Sequence, residues 1–124
     1  MKGVIFINSP QLYNPDTRFV AHVSSIKSKT ELFNILYKSL MLPDYFGFNW
    51  DALSDCLQDF HWITQQGILL VHDELPSLDD VTFHIYIQIL IDAVNDWKEG
   101  EEHYFEIVFP ENVESIISKY LNEK

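Results

Sequence analysis

The chain has a single cysteine, Cys56, so it can neither close an intrachain disulfide nor complete a thiolate zinc site. A glycine-rich phosphate loop, an HExxH helix, a nucleophile elbow and a CxxC pair are all missing. No enzyme class is indicated, and no cofactor is expected. Basic residues are scarce. Eight Lys plus Arg stand against 19 Asp plus Glu, a formal net charge of −11. That balance opposes any partner held by phosphate neutralisation, so neither nucleic acid nor an anionic membrane is expected. No apolar run reaches the roughly 20 residues needed to span a bilayer. The longest, Val81 to Val94, is broken by His84, Gln88 and Asp92. The opening from Met1 to Ile7 has too short a hydrophobic run for a signal peptide and lacks a small-residue cleavage pattern. A cytoplasmic setting is expected.

What is present is enough to build a core. The chain has 124 residues, 47% of them hydrophobic, which fits one domain over residues 1–124 and excludes a disordered tail. Gly3 to Ile7, Gly67 to Val71 and His103 to Phe109 read as buried strands. The first ends in the turn residues Asn8-Ser9-Pro10 and Asn14-Pro15-Asp16. Phe19 to Val23 reads either as a short extra strand or as part of a basic patch with Arg18, Lys27 and Lys29. Ser28-Lys29-Thr30-Glu31 has the form of a capping box, and Leu32, Phe33, Leu36, Tyr37 and Leu40 follow at helical spacing. Pro43 stops that helix. Asp44 to Phe48 is an aromatic loop with a glycine hinge, and Asn49 caps a second helix from Trp50 to about Phe60.

Between the later strands, Ile85, Ile87, Ile89 and Ile91 alternate with the period of a strand. The run from Leu78 to Trp97 nevertheless has no turn residue, and Ser77 and Gly100 flank it as cap signals, which predicts a helix. Glu111 to Asn122 predicts a terminal amphipathic helix with Val113, Ile116, Ile117 and Tyr120 on one side. The order implies an α/β fold, a small three-stranded, mostly parallel sheet covered by helices.

Charge is unevenly placed: from Ser39 to Trp97 there are ten carboxylates and no Lys or Arg. At about 100° per residue, Trp50, Leu53, Cys56, Leu57 and Phe60 cluster on one side of the second helix, opposite Asp51, Asp55 and Asp59. Like charges four residues apart cost a helix roughly 0.2–0.5 kcal/mol per pair, partly recovered by Asp51 near the positive end of the helix dipole. Such a face is either simply solvated or a docking surface for a cationic partner. The neighbouring aromatics favour docking, with Phe48 or Trp50 packing inward and Tyr45 and Phe46 at the exposed edge. A weak divalent-ion site on the aspartates is a lesser reading, and no metal is assigned. The histidines His22, His61, His72, His84 and His103 are scattered without metal-ligand spacing. Cys56, on the apolar side, reads as a buried inert thiol. His72-Asp73-Glu74, at a strand's end, reads as loop chemistry.

The stretch Leu42 to Leu57, LPDYFGFNWDALSDCL, resembles the signature of the barstar family of ribonuclease inhibitors, with a looser likeness from about Ile26 through Phe109. The resemblance supports the helical reading of Leu78 to Trp97. It makes residues 8–25 an enlarged first connection and the segment after Phe109 an added C-terminal helix. In that family the loop and second helix plug the active site of a basic ribonuclease, with aspartates in the places of substrate phosphates. The partner-binding residues it implies are Tyr45, Phe46, Gly47, Asn49, Asp51, Ser54, Asp55, Asp59 and Asp92, the last aligned with an acidic contact on the later helix. Ser54 stands where the best-known member has tryptophan, Phe46 replaces a tyrosine and Phe48 an acidic residue, differences that bear on which target is bound. The expected function is stoichiometric inhibition of a basic ribonuclease or ribonuclease toxin by a protein that is monomeric when free. The alternative is a barstar-like interaction module with a basic partner that is not a nuclease.

Overall fold

Every residue of Gly67–His72 is buried, so this strand needs hydrogen-bonding neighbours on both edges. The computed structural model, which describes residues 3–13 and 17–121, supplies them in a four-stranded parallel sheet. The strands are β1 (Val4–Ile7), β2 (Phe19–Val23), β3 (Gly67–His72) and β4 (Tyr104–Pro110), in the order β1-β4-β3-β2. Three strands were expected; the fourth is Phe19–Val23, in register with β3 from Phe19 opposite Ile68 to Val23 opposite His72. Five residues of the supposed enlarged connection at residues 8–25 are thus sheet. Nor do the basic residues form one patch. Arg18 precedes β2 and pairs with Glu106 at 3.1 Å, whereas Lys27 and Lys29 lie beyond its other end.

The helices are α1 (Lys29–Ser39), α2 (Trp50–Leu57), α3 (Asp80–Asp96) and α4 (Glu114–Leu121). One face of the sheet, including Ala21, Leu70 and Ile107, packs against buried residues of all four. Right-handed crossovers dictate where the remaining connection runs. Travelling from β2 to β3 to β4, the connecting helices cover one face. The step from β1 to β2 goes the opposite way across the sheet, and the same handedness then puts it on the other face. There Tyr13, just after a 3₁₀ turn at Pro10–Leu12, packs on Leu69, Val71 and Val108. The expected turn at Asn14-Pro15-Asp16 and the last residue of the expected terminal helix, Asn122, lie outside the described residues.

Local rules account for most helix ends. The Ser28 side chain accepts from the Glu31 amide at 3.1 Å, and Glu31 reaches back to the Lys27 amide at 2.8 Å, a capping box displaced by one residue. The expected span Leu78 to Trp97 is a helix, but it begins later and its cap is Asp79, which accepts from the Thr82 amide at 2.8 Å. Ser77 instead donates its amide to the Ile26 carbonyl. Gly100 lies beyond the end, because Trp97 is already extended. Tyr86, Ile87, Leu90 and Ile91 are buried at helical spacing, so the alternating isoleucines are divided between core and flank. The terminal segment opens with a 3₁₀ turn at Glu111–Val113; Ile117 is buried, while Ile116, expected on the apolar side, is 42% exposed. Among the described residues no helix is long and apolar enough to cross a membrane.

At the carboxyl end of β3 the imidazole of His72 is fully buried and stacked on Phe109 at 4.6 Å. Its Nδ1–H donates to the Val108 carbonyl at 3.3 Å, leaving Nε2 to accept from the Tyr86 hydroxyl at 2.7 Å. Burial drives the His72 pKa from 6.5 down to about 4, against a smaller opposing effect of the Val108 hydrogen bond. An unfolded chain takes up this proton near pH 6.5 and the folded chain only near 4. The stability His72 contributes is therefore whole above pH 6.5 and lost as pH falls towards 4. Between pH 7 and 5 this loss is expected to reach roughly 2 kcal/mol in urea unfolding. The H72L chain, less stable overall, should show a correspondingly flatter pH dependence; equal slopes would contradict the assignment.

Candidate protein-binding face

The position of α2 follows from its sequence. The Asn49 side chain accepts from the Ala52 amide at 2.8 Å, and Leu53, Cys56 and Leu57 are buried. Seating those three residues in the core turns Asp51 and Asp55 outward, and both are exposed. Their carboxylates accept no hydrogen bond from the described residues. Neighbouring acids differ in this respect. Asp44 accepts from the Tyr37 hydroxyl at 3.0 Å, Asp92 from Gln88 at 3.0 Å and Asp96 from Gln58 at 2.8 Å.

Asp59, expected as the third carboxylate of the helix face, lies in the turn beyond it, because α2 ends at Leu57 and not near Phe60. There the backbone enters the left-handed region at Phe60, φ 54°, and carries its ring wholly into the core, stacked on Trp97 at 6.2 Å and tilted against Phe105 at 5.6 Å. Core burial of a phenylalanine outweighs the helical continuation. The Asp59 carboxylate is held by His61 Nδ1 at 2.8 Å and lies 3.4 Å from the Tyr45 hydroxyl. It thus ties the aromatic loop to the end of α2.

The loop corrects an expectation about which ring faces solvent. Phe46 is 2% exposed, packed edge-on against Phe33 at 5.9 Å, whereas Phe48 is 44% exposed and Tyr45 63%. Trp50 is half-buried against Phe33 at 4.8 Å. Gly47 is no hinge of left-handed backbone; that conformation belongs to Phe48, φ 53°. Glycine is needed for space: a Cβ at 47 would lie 2.8 Å from the Asn49 amide nitrogen, which donates to the Gly47 carbonyl at 3.2 Å.

On the flank facing α3, the Gln58 amide bonds Asp96 and lies 3.4 Å from the Ser54 hydroxyl, so the expected site residue Ser54 joins a bridge between α2 and α3. Asp92 is one turn earlier on α3 and exposed. Sequence reasoning missed Gln58, Asp96 and His61. Their only sequence signal was a polar side chain near a helix end, because the contacts cross between elements.

Two groups of this region have their titration shifted. The Cys56 thiol is pushed up to about 11, first by burial and then by the charges of Asp59 and Asp55, so it carries no thiolate at neutral pH. The Tyr45 hydroxyl is also raised, by desolvation first and by Asp59 next. No group of three or more His, Cys, Asp and Glu side chains among the described residues is arranged to hold a metal ion. At the carboxyl ends of β2 and β3, His22 bonds Asp73 at 2.9 Å and Ser25 bonds Glu74 at 3.4 Å, the loop chemistry expected for His72-Asp73-Glu74.

Residues 17–110 match the family model of barstar, the barnase inhibitor, which spans most of the chain from the start of β2 to the end of β4. No curated relative matches the chain. The face of α2 and its loop lie inside the matched span; β1 and α4 lie outside it.

Removing the cap by Asn49→Ala is expected to cost about 1 kcal/mol in urea unfolding. Gly47→Ala displaces the same Asn49 amide and should cost a similar amount. Since both act through one group, the double variant should lose clearly less than the sum. Additive losses would show that Gly47 serves something other than the cap.

Proposed function

The chain belongs to the barstar family, a family of ribonuclease inhibitors, and on that premise we propose that it is a stoichiometric inhibitor of a basic ribonuclease, of the immunity or antitoxin kind. It acts by entering the enzyme's active site and not by turning over a substrate. The observation that carries this reading is the state of Asp51 and Asp55. Both carboxylates are exposed, accept no hydrogen bond from the described residues, and stand on a helix anchored by three buried side chains. An enzyme that cleaves RNA holds phosphate with Arg, Lys and His donors. Carboxylates fixed at these positions take the same donors and offer no bond to cleave. Little reorganisation is needed on binding, since the aspartates are not first released from internal partners.

Around them, Tyr45 lies against the target, positioned by Asp59, while Phe46 supports the loop from beneath and Gly47 and Asn49 hold its exit into α2. Ser54 and Asp92 border the contact on the side of α3. The formal charge of −11 speeds encounter with a basic enzyme and opposes self-association, which favours a monomer in the free state. The cytoplasm, where a cell must neutralise such an enzyme, is the setting this role requires.

Asp55→Ala should weaken binding by about 2–5 kcal/mol, the range for truncating one partner of a desolvated charge pair, a range to which barnase–barstar pairs themselves contribute. Its melting temperature should stay near that of the unaltered chain, since the removed carboxylate has no internal partner. Titration calorimetry against barnase and a panel of other basic bacterial ribonucleases checks both expectations. Equal binding by the variant would end the assignment of Asp55 to the plug. The association rate should also fall steeply with ionic strength.

A further inference from the structure

Large apolar side chains are unevenly exposed on this molecule. Of the seven such residues exposed among those described, Met41, Tyr45 and Phe48 fall within the eight residues preceding Asn49 and α2. Electrostatic docking gives no reason for this concentration. Phe48 is the sharpest case. Its backbone is left-handed, φ 53°, which a bulky residue seldom adopts. Four other non-glycine residues share that conformation: Ser9 and Ser25 are short, Phe60 is offset by complete burial, and Met41 is exposed on the same loop. At Phe48 burial is incomplete. The ring rests on Phe46 at 4.8 Å and Tyr37 at 5.2 Å, which hold it in place, while 44% of the residue stays open to solvent. A rigidly backed aromatic at the border of a charged contact has the character of a binding anchor.

We infer that Phe48 stands in the place of a nucleobase beside the phosphate-mimicking Asp51 and Asp55, so that the enzyme this face fits joins its cationic cleft to an apolar, base-stacking wall. The inference rests on the ribonuclease reading above. It adds the second half of a nucleotide to that reading. RNA-cleaving enzymes meet phosphate and base side by side, and unstacked bases are held against aromatic or apolar side chains. Phe48 immediately precedes the Asn49 cap and lies three residues before Asp51, and both residues are exposed. A carboxylate at position 48 would extend the charge alone; a phenyl ring offers a flat apolar face of the kind a stacked base presents.

The test uses the full chain with barnase and a panel of other basic ribonucleases, comparing unaltered protein, F48G, F48Y and D55A. Glycine relieves the backbone at position 48 and removes the ring; thermal melting checks that F48G remains folded. Binding by F48G should fall at least tenfold, mostly through faster dissociation, and F48Y should restore it. Saturating free nucleoside, which lacks phosphate, should weaken binding of the unaltered chain and leave F48G unaffected. If F48G binds as tightly as the unaltered chain while D55A does not, the inference is wrong and the acidic plug stands. It is equally wrong if nucleoside leaves binding of the unaltered chain unchanged. If the unaltered chain inhibits none of the ribonucleases, the ribonuclease reading fails and takes this inference with it.

Discussion

Two indole hydrogen bonds tie down the helices that carry the candidate binding face. A helix leaves its last carbonyls without partners, and here tryptophans from other segments supply them. Trp62 donates to the Leu40 carbonyl at the end of α1 at 3.0 Å, and Trp97 to the Leu57 carbonyl at the end of α2 at 2.8 Å. The second bond registers α2 against the end of α3 and lets the chain turn at once, so that Phe60 drops into the core. It adds to the three buried side chains that set the rotation of this eight-residue helix, since short helices are marginal by themselves. The outward direction of Asp51 and Asp55 depends on that rotation.

The sheet provides the rigid backing. Its four strands all run parallel, and the central pair, β3 and β4, holds most of the sheet's own buried apolar residues. Helices cover one face, and the handedness of the β1–β2 crossover sends the remaining connection over the other. The candidate acidic face is therefore built on the helical layer, and its first residue, Trp50, packs at 6.5 Å on the Tyr86 ring that pairs with His72 at the sheet's carboxyl end. The group that answers to acid in the core, His72, and the proposed contact residues Asp51 and Asp55 are different side chains.

Acidity on this molecule is sorted by tertiary contact. Asp79 caps α3, Asp59 holds a tyrosine and a histidine, and Asp96 holds a glutamine from α2. After these are assigned, Asp51 and Asp55 are left facing solvent on one helix. Their mutual repulsion costs the free protein little, because like charges at that spacing are weakly destabilising when exposed. In a cationic cleft the same proximity becomes an advantage, since both can be engaged at once.

The sequence by itself determined the α/β class, the caps Ser28 and Asn49, the buried side of α2 and the presence of an unneutralised acidic stretch, because each depends on spacing along the chain. It also carried the family signature in residues 42–57. Other features were decided only by tertiary structure. Whether Phe19–Val23 was a strand depended on β3 needing a second partner. Whether α2 continued to Phe60 depended on a pocket made by Trp97 and Phe105. Phe46 and Phe48 have the same side chain two residues apart, and nothing in the local pattern says that the first is buried beneath the second. Burial is a property of what arrives from elsewhere in the chain, and for that loop it comes from Phe33 and Tyr37 of α1.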